Sequence, residues 1–452
     1  MWISCIFVYR TLKLYLSESW SLVTVLIPVL FWSSAFLNDF VHYSSELVPM
    51  CLISAVLFYL ISAFHIEFDF RRLLFAVALS SLVPFAKLQA TVIVLPLVLI
   101  GIVYCFVVSG TRVFIRRFPW IVLSGVFFPM LILIPVILSG GWNDFLWSYL
   151  VLAMQYGESR SFIRGLIGFV FWSGPVPVWG AFIQLGLAFL ICVWTGWNAF
   201  GSGTVTEARK RMKTIFAWPV LPVVTSFVFG MYAIVTPGTY FGHYWQLVIV
   251  PSTLIAGLFL VRFDHIRYPV FSKIPLIAML GAELLSSSFI VYVQRAGSIN
   301  MESGIIGTDK HALMAVEYLN RNKVEGDRMV VWGWFSDLYI KTGMLSGSRE
   351  VHVALISPDS NELFDFLNLS DELKSYYRNR FMGDLSRSRP RFIVDVCYPG
   401  SFGFNSRRYA PESFSELWEF ISSGYDLVFD SSTPESDGIR IWRRREVSVI
   451  GK

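Results

Sequence analysis

Composition, the spacing of apolar runs and a change in character at Arg295 predict a polytopic α-helical membrane domain, residues 1–294. A small α/β extracytoplasmic domain, residues 295–452, follows it. Of 452 residues, 55% are hydrophobic and 15% charged, against about 25% charged in a soluble domain. Aromatic residues make up 17%, with 16 Trp and 40 Phe, and such rings gather where a bilayer meets water. This many suits several membrane ends, not a single anchor.

A membrane span needs about 20 mostly apolar residues. By that measure the sequence predicts helices near 21–37, 47–64, 73–86, 90–108, 118–139, 176–199, 215–236, 244–261 and 273–293, with 1–9 as half a span. The start, WISCIFVY, lacks the basic region and small-residue site of a cleavable signal, so it reads as part of a membrane helix. Residues 164–175 run into Gly174–Pro177 and read as re-entrant or interfacial. Cations fall on every second connection: Arg71 and Arg72; Arg112, Arg116 and Arg117; Arg209 to Lys213; and Arg262, Arg267 and Lys273. Positive charge marks the cytoplasmic loops. The intervening connections and the C-terminal domain are therefore expected to face the extracytoplasmic side of the membrane.

Beyond Arg295 the apolar period changes to alternating helix and strand. Helical DKHALMAVEYLNRN from Asp309, strand RMVVW from Arg328, helical SDLYIKTG from Ser336, strand EVHVALI from Glu350 and helical DELKSYYRNRF from Asp371 come first. Strand RFIVDV from Arg391, helical SFSELWEFISS from Ser413, and strands from Tyr425 and Gly438 complete the set. Alternating units of this kind predict a largely parallel sheet.

A net charge of +5 raises nucleic acid as a partner, but the cations sit in short loops that the membrane bias already explains, which argues against it. The cysteines at 5, 51, 105, 192 and 397 show neither disulfide nor zinc spacing. Phosphate-loop and nucleophile-elbow motifs are also absent.

Polar residues concentrate in the outward connections. NDFVHYSSELVP places Asp39, His42, Ser44, Ser45 and Glu46 between two spans. Either Ser and Glu cap the next helix, or an acidic site here holds a metal or a sugar hydroxyl. Lys87 and Gln89 occupy a three-residue join; the ammonium either snorkels to the interface or meets a phosphate. PGTYFGHYWQ offers Tyr240 and His243 to a sugar ring or lipid head, with Tyr244 and Trp245 better suited to an aromatic belt. The stretch 141–165 has an apolar helical stripe suited to lying on the outer leaflet, and Arg160 and Arg164 at its end suit a phosphate or a lipid head.

HYSSELVP at His42, AKLQATVIVLPL at Ala86 and VWGWFSDLYIKTG at Val331, ahead of and within an external α/β domain, together resemble the bacterial GT-C glycosyltransferase superfamily. The similarity is to its lipid-A arabinosyl and protein mannosyl transferase branch. It spans nearly the whole chain on soft motifs. The resemblance implies a polyprenyl-phosphate-linked sugar as donor and a cell-envelope acceptor at the outer face. It implies Asp39 or Glu46 as the acid, with Lys87, His243 and Arg160 toward the donor phosphate. His42, Gln89, Tyr240 and Trp334 would contact donor or acceptor. Such proteins carry their principal acid in a first external loop. CIFVYRTLKLYL resembles the end of a second or third span, so that loop lies upstream of Met1, or Asp39 or Glu46 replaces its acid. A divalent ion beside the carboxylate stays open. The competing expectations are an inactive membrane scaffold and a transporter or flippase; the latter needs ionisable groups at mid-span, and the spans have almost none.

Overall fold

The computed structural model describes residues 1–33, 46–155, 220–237, 242–263, 277, 280, 281, 310–350, 353–357, 369–399, 404–434 and 436–446. It is mostly helical, with one small sheet in the C-terminal region. Contacts divide it into one unit of Met1–Phe145 with Ser159–Val293 and a second of Leu146–Glu158 with Gln294–Lys452.

In the first unit the described helices are α1 (Trp2–Leu12), α2 (Glu18–Ser33), α3 (Leu47–Phe64), α4 (Phe70–Ala86), α5 (Thr91–Leu138), α6 (Val220–Val235) and α7 (Gln246–Phe263). Two helical runs, Leu47–Phe64 and Leu88–Leu138, are long and apolar enough to cross a membrane. The chain enters α4 through Asp69, whose carboxylate accepts from the Arg71 and Arg72 amides at 2.9 and 3.3 Å. That caps two of the amide groups a helix start leaves unpaired.

The sequence predicts separate helices at 90–108 and 118–139, and α5 carries both without a connecting loop. The single non-helical residue is Gly110, at φ 73° and ψ 163°, a region open essentially to glycine alone. The chain doubles back there. Phe106 and Phe114 meet edge to face at 5.3 Å, and Arg117 donates to Ser109 at 2.7 Å. Gly101 lies against Leu73 of α4 while Gly125 lies against Val77, one turn further along the same helix. A straight helix would part those two glycines by about 36 Å, so both limbs must line α4. Small residues at these points let the helices approach closely.

The reversal sorts charge between the ends of this unit. At one end Arg117 stacks over Phe68 and Phe70 at 5.5 and 4.9 Å. There too Arg72 donates to the Ser62 carbonyl at 3.2 Å. Glu46, Lys87 and Gln89 stand at the opposite ends of α3, α4 and α5.

The second unit contains α8 (Lys310–Asn322), β1 (Arg328–Trp332), α9 (Asp337–Thr342), β2 (Leu345–Ser346), α10 (Asp371–Ser388), β3 (Phe392–Asp395), α11 (Ser415–Gly424), β4 (Tyr425–Asp430) and β5 (Arg440–Arg444). Among the described residues the sheet order is β2-β1-β3-β5-β4. β1 pairs parallel with β2 and β3, while β5 runs antiparallel to β3 and β4. Strand alternation builds two cores. Met329, Val331, Phe392 and Val394 pack with Ala312, Ala315 and Leu319 of α8. Val330, Trp332 and Ile393 pack with Leu373, Tyr377, Phe381 and Leu385 of α10. The result is a layer of helix on each sheet face.

Three expectations change here. The sheet is mixed, because the β4–β5 hairpin adds two antiparallel partners to a parallel half. The strand expected from Glu350 is not formed by the described residues: Val353–Ser357 is a turn, with Ile356 and Ser357 amides bonded back to Val353. The parallel edge is taken instead by Leu345 and Ser346. The apolar stripe of 141–165 is also used differently. Among its described residues, Trp147, Val151 and Leu152 pack partly buried against the core that holds Leu373, Tyr377 and Phe381 of α10.

Candidate functional site

Five helix ends meet around Lys87. The ammonium forms an ion pair with the Glu46 carboxylate, which is 0% exposed, while Lys87 itself is 16% exposed. It also stands 4.5 Å from the centre of the Tyr244 ring, a cation–π geometry. Gln89 donates to the Ala233 carbonyl at the C-terminal end of α6. Gln246, fully buried, opens α7.

Local sequence explains the placement. Lys87 ends α4 in extended backbone, φ −162° and ψ 116°, and its amide returns to the Val83 carbonyl. Leu88–Ala90 forms a single tight turn, after which α5 begins at Thr91. This join is too short to let the ammonium wander. Glu46 immediately precedes α3, so its anionic side chain sits at a positive helix start. The N-terminal ends of α3, α5 and α7 converge on the cluster, adding partial positive charge to that of Lys87.

Glu46 and Lys87, read from sequence as separate acid and phosphate partner, are thus one buried pair. Tyr244 and Trp245, expected in an aromatic belt, are instead buried at 2% and 5% exposure, and Tyr244 turns its face to the cation. His243 lies in the short turn Gly242–Trp245. Asp39, His42, Arg160 and Tyr240 lie outside the described residues, as do the predicted span 176–199 and the re-entrant stretch 164–175. Trp334 belongs to the second unit, where it packs partly buried against the core that holds Trp332. Trp332 is a packing anchor: fully buried, it donates from Nε1 to the Tyr409 carbonyl at 2.8 Å and stacks on Phe414.

The chain matches no protein-family model and no curated protein.

A divalent ion does not fit the described part of this cluster. The one carboxylate present already faces an ammonium, which would repel a second cation. Among the described residues no three His, Cys, Asp or Glu side chains gather as a metal would require. What the cluster offers is a fixed cation at the end of an apolar bundle, held by a buried carboxylate and an aromatic face. Such a group can orient and stabilise an anion that brings little water with it.

Proposed function

We propose that this chain is a polytopic membrane glycosyltransferase of GT-C type, moving a sugar from a polyprenyl-phosphate donor to a cell-envelope acceptor at the outer face of the membrane. The observation that carries it is the Glu46–Lys87–Tyr244 cluster, a preset cation where three helix starts converge. The membrane reading rests on length and surface. The two limbs of α5 measure about 28 and 42 Å at 1.5 Å per residue, against a hydrocarbon core of about 30 Å. Leu95, Leu99 and Val103 on the first limb, and Phe127, Met130 and Ile134 on the second, are exposed apolar side chains that lipid would cover. The arginine-rich end then faces the cytoplasm and the Lys87 end faces outside.

In this reading the acceptor hydroxyl attacks the anomeric carbon, and the bond from that carbon to the lipid phosphate breaks. The bonding electrons leave with the phosphate, whose negative charge Lys87 stabilises. The hydroxyl proton passes to a carboxylate. Glu46 is committed to Lys87, and the resemblance then offers Asp39, outside the described residues, or an acid of an upstream loop for that role. Lys87 acts on the leaving group and Glu46 positions it.

Purified protein in lipid is offered labelled polyprenyl-phosphate sugars and, separately, nucleotide sugars. Transfer is expected from the lipid-linked donors alone, and Lys87→Gln lowers it by about 100-fold or more. Equal transfer by Lys87→Gln takes the ammonium out of the chemistry and leaves Glu46–Lys87 as an architectural pair, and no transfer from any lipid-linked donor overturns the reading in favour of an inactive scaffold.

A further inference from the structure

Leu146–Val151 is a π-helical turn, continued by a helical turn through Gln155. The π form is rare and accompanies local function more often than chance would place it. In sequence this segment follows an apolar helix of the first unit, yet Trp147, Ser148 and Gln155 engage C-terminal residues of the second. Trp147 stacks on Tyr376 of α10 at 5.3 Å and 19°. The Ser148 hydroxyl accepts from Arg380 Nη1 at 2.8 Å.

Arg380 is held from several sides at once. It donates from Nε to Glu350 at 2.9 Å and lies over the Tyr376 and Tyr377 rings at 5.1 and 4.8 Å. Arg380 and Glu350 are 12% and 10% exposed. At the far end of the segment, the Ser370 amide donates to Gln155 Oε1 at 2.8 Å, and Gln155 Nε2 reaches the Ser370 hydroxyl at 3.1 Å. Ser370 is the N-cap of α10, its hydroxyl accepting from the Leu373 amide. One end of the segment is therefore tied to the start of α10 and the other to its middle, with Val151 and Leu152 packed partly buried against the core between them.

We propose that residues 146–155 are a strap that completes a C-terminal domain discontinuous in sequence, so that this loop and the domain share one side of the membrane. The chain then crosses an even number of times between Gln155 and Lys310. The strap stands whether or not the protein transfers sugar; the crossing count rests on the membrane reading above. The spans expected from sequence at 176–199, 215–236, 244–261 and 273–293 are even in number, as this requires.

The test uses the full chain in membranes. Gln155→Cys with Ser370→Cys is oxidised, digested without reduction and read by mass spectrometry, beside a control pair of Gln155→Cys with Ser423→Cys. The 155–370 peptide pair is expected well above the control. Hydrogen exchange should show amides 146–155 protected, and Trp147→Ala should speed their exchange about tenfold by removing the aromatic stack. An impermeant thiol reagent should label Gly141→Cys and Ser436→Cys from the same side. No cross-link above control, with amides 146–155 exchanging as a free peptide, overturns the strap. Labelling from opposite sides overturns the shared side. Sugar transfer is no readout here, so failure of the enzyme reading and failure of the strap are told apart.

Discussion

Breaking the Glu46–Lys87 pair from one side and from both sides separates its part in folding from its part in chemistry. Lys87→Met leaves the Glu46 carboxylate, 0% exposed, without its countercharge. Removing one partner of a buried pair costs about 3–5 kcal/mol. At about 2–4 °C per kcal/mol for a large domain, Tm falls by roughly 6–20 °C. Glu46→Gln should lower it comparably, because the ammonium is then left facing a neutral amide. The double variant Glu46→Gln/Lys87→Met removes both charges and keeps the volume, so most of the loss returns, and the cycle yields a coupling larger than either single loss. Differential scanning in lipid nanodiscs measures the midpoints, and labelled-sugar transfer is assayed on the same samples. The double variant should be folded and still defective in transfer by about 100-fold. A Tm for Lys87→Met within about 2 °C of the parent refutes a dry, mutually dependent pair. Full transfer by a stable double variant refutes a role for Lys87 on the donor.

Two further outcomes follow from geometry elsewhere. Gly110→Ala places a Cβ at φ 73°, ψ 163° and should destabilise the first unit by about 1–3 kcal/mol, read as a lower Tm in nanodiscs, whereas Gly125→Ala, at van der Waals distance from Val77, should shift it far less. For Asp384, burial pushes the carboxyl up, but hydrogen bonds from Arg349 and Arg387 outweigh it and hold the group below its ordinary value. A depressed carboxylate contributes stability that is whole above its unfolded pKa of about 3.9 and is lost as pH falls through the lower folded value. The denaturation midpoints of parent and Asp384→Asn should therefore differ at pH 7 and converge below about pH 4; a gap that is constant with pH contradicts this.

Much of the architecture was legible because period and length are strong signals. The run at 47–64 is a helix with those bounds, and RMVVW and YDLVFD are strands over the residues read. The loopless join at Gly110 was not legible, since Arg112, Arg116 and Arg117 look like a connection even when helical. Val353–Ser357 was misread because β-branched residues promote a strand only where a free sheet edge receives them, and Leu345–Ser346 already holds that edge. At the candidate site, residue types pointed to Glu46, Lys87 and Gln89, but no local pattern reports a pairing across 41 positions. The partnership of Ser148 with Arg380 spans 232 positions and left no mark in either segment.

That separation has a consequence for synthesis. Roughly 230 residues leave the ribosome between Gln155 and the end of α10, and at about 5–20 residues per second this takes roughly 12–47 s. Throughout that interval Trp147, Val151 and Leu152 have been made and the helix that covers them has not. The nascent chain must keep an apolar decapeptide from straying while more than nine-tenths of its final domain is still unwritten.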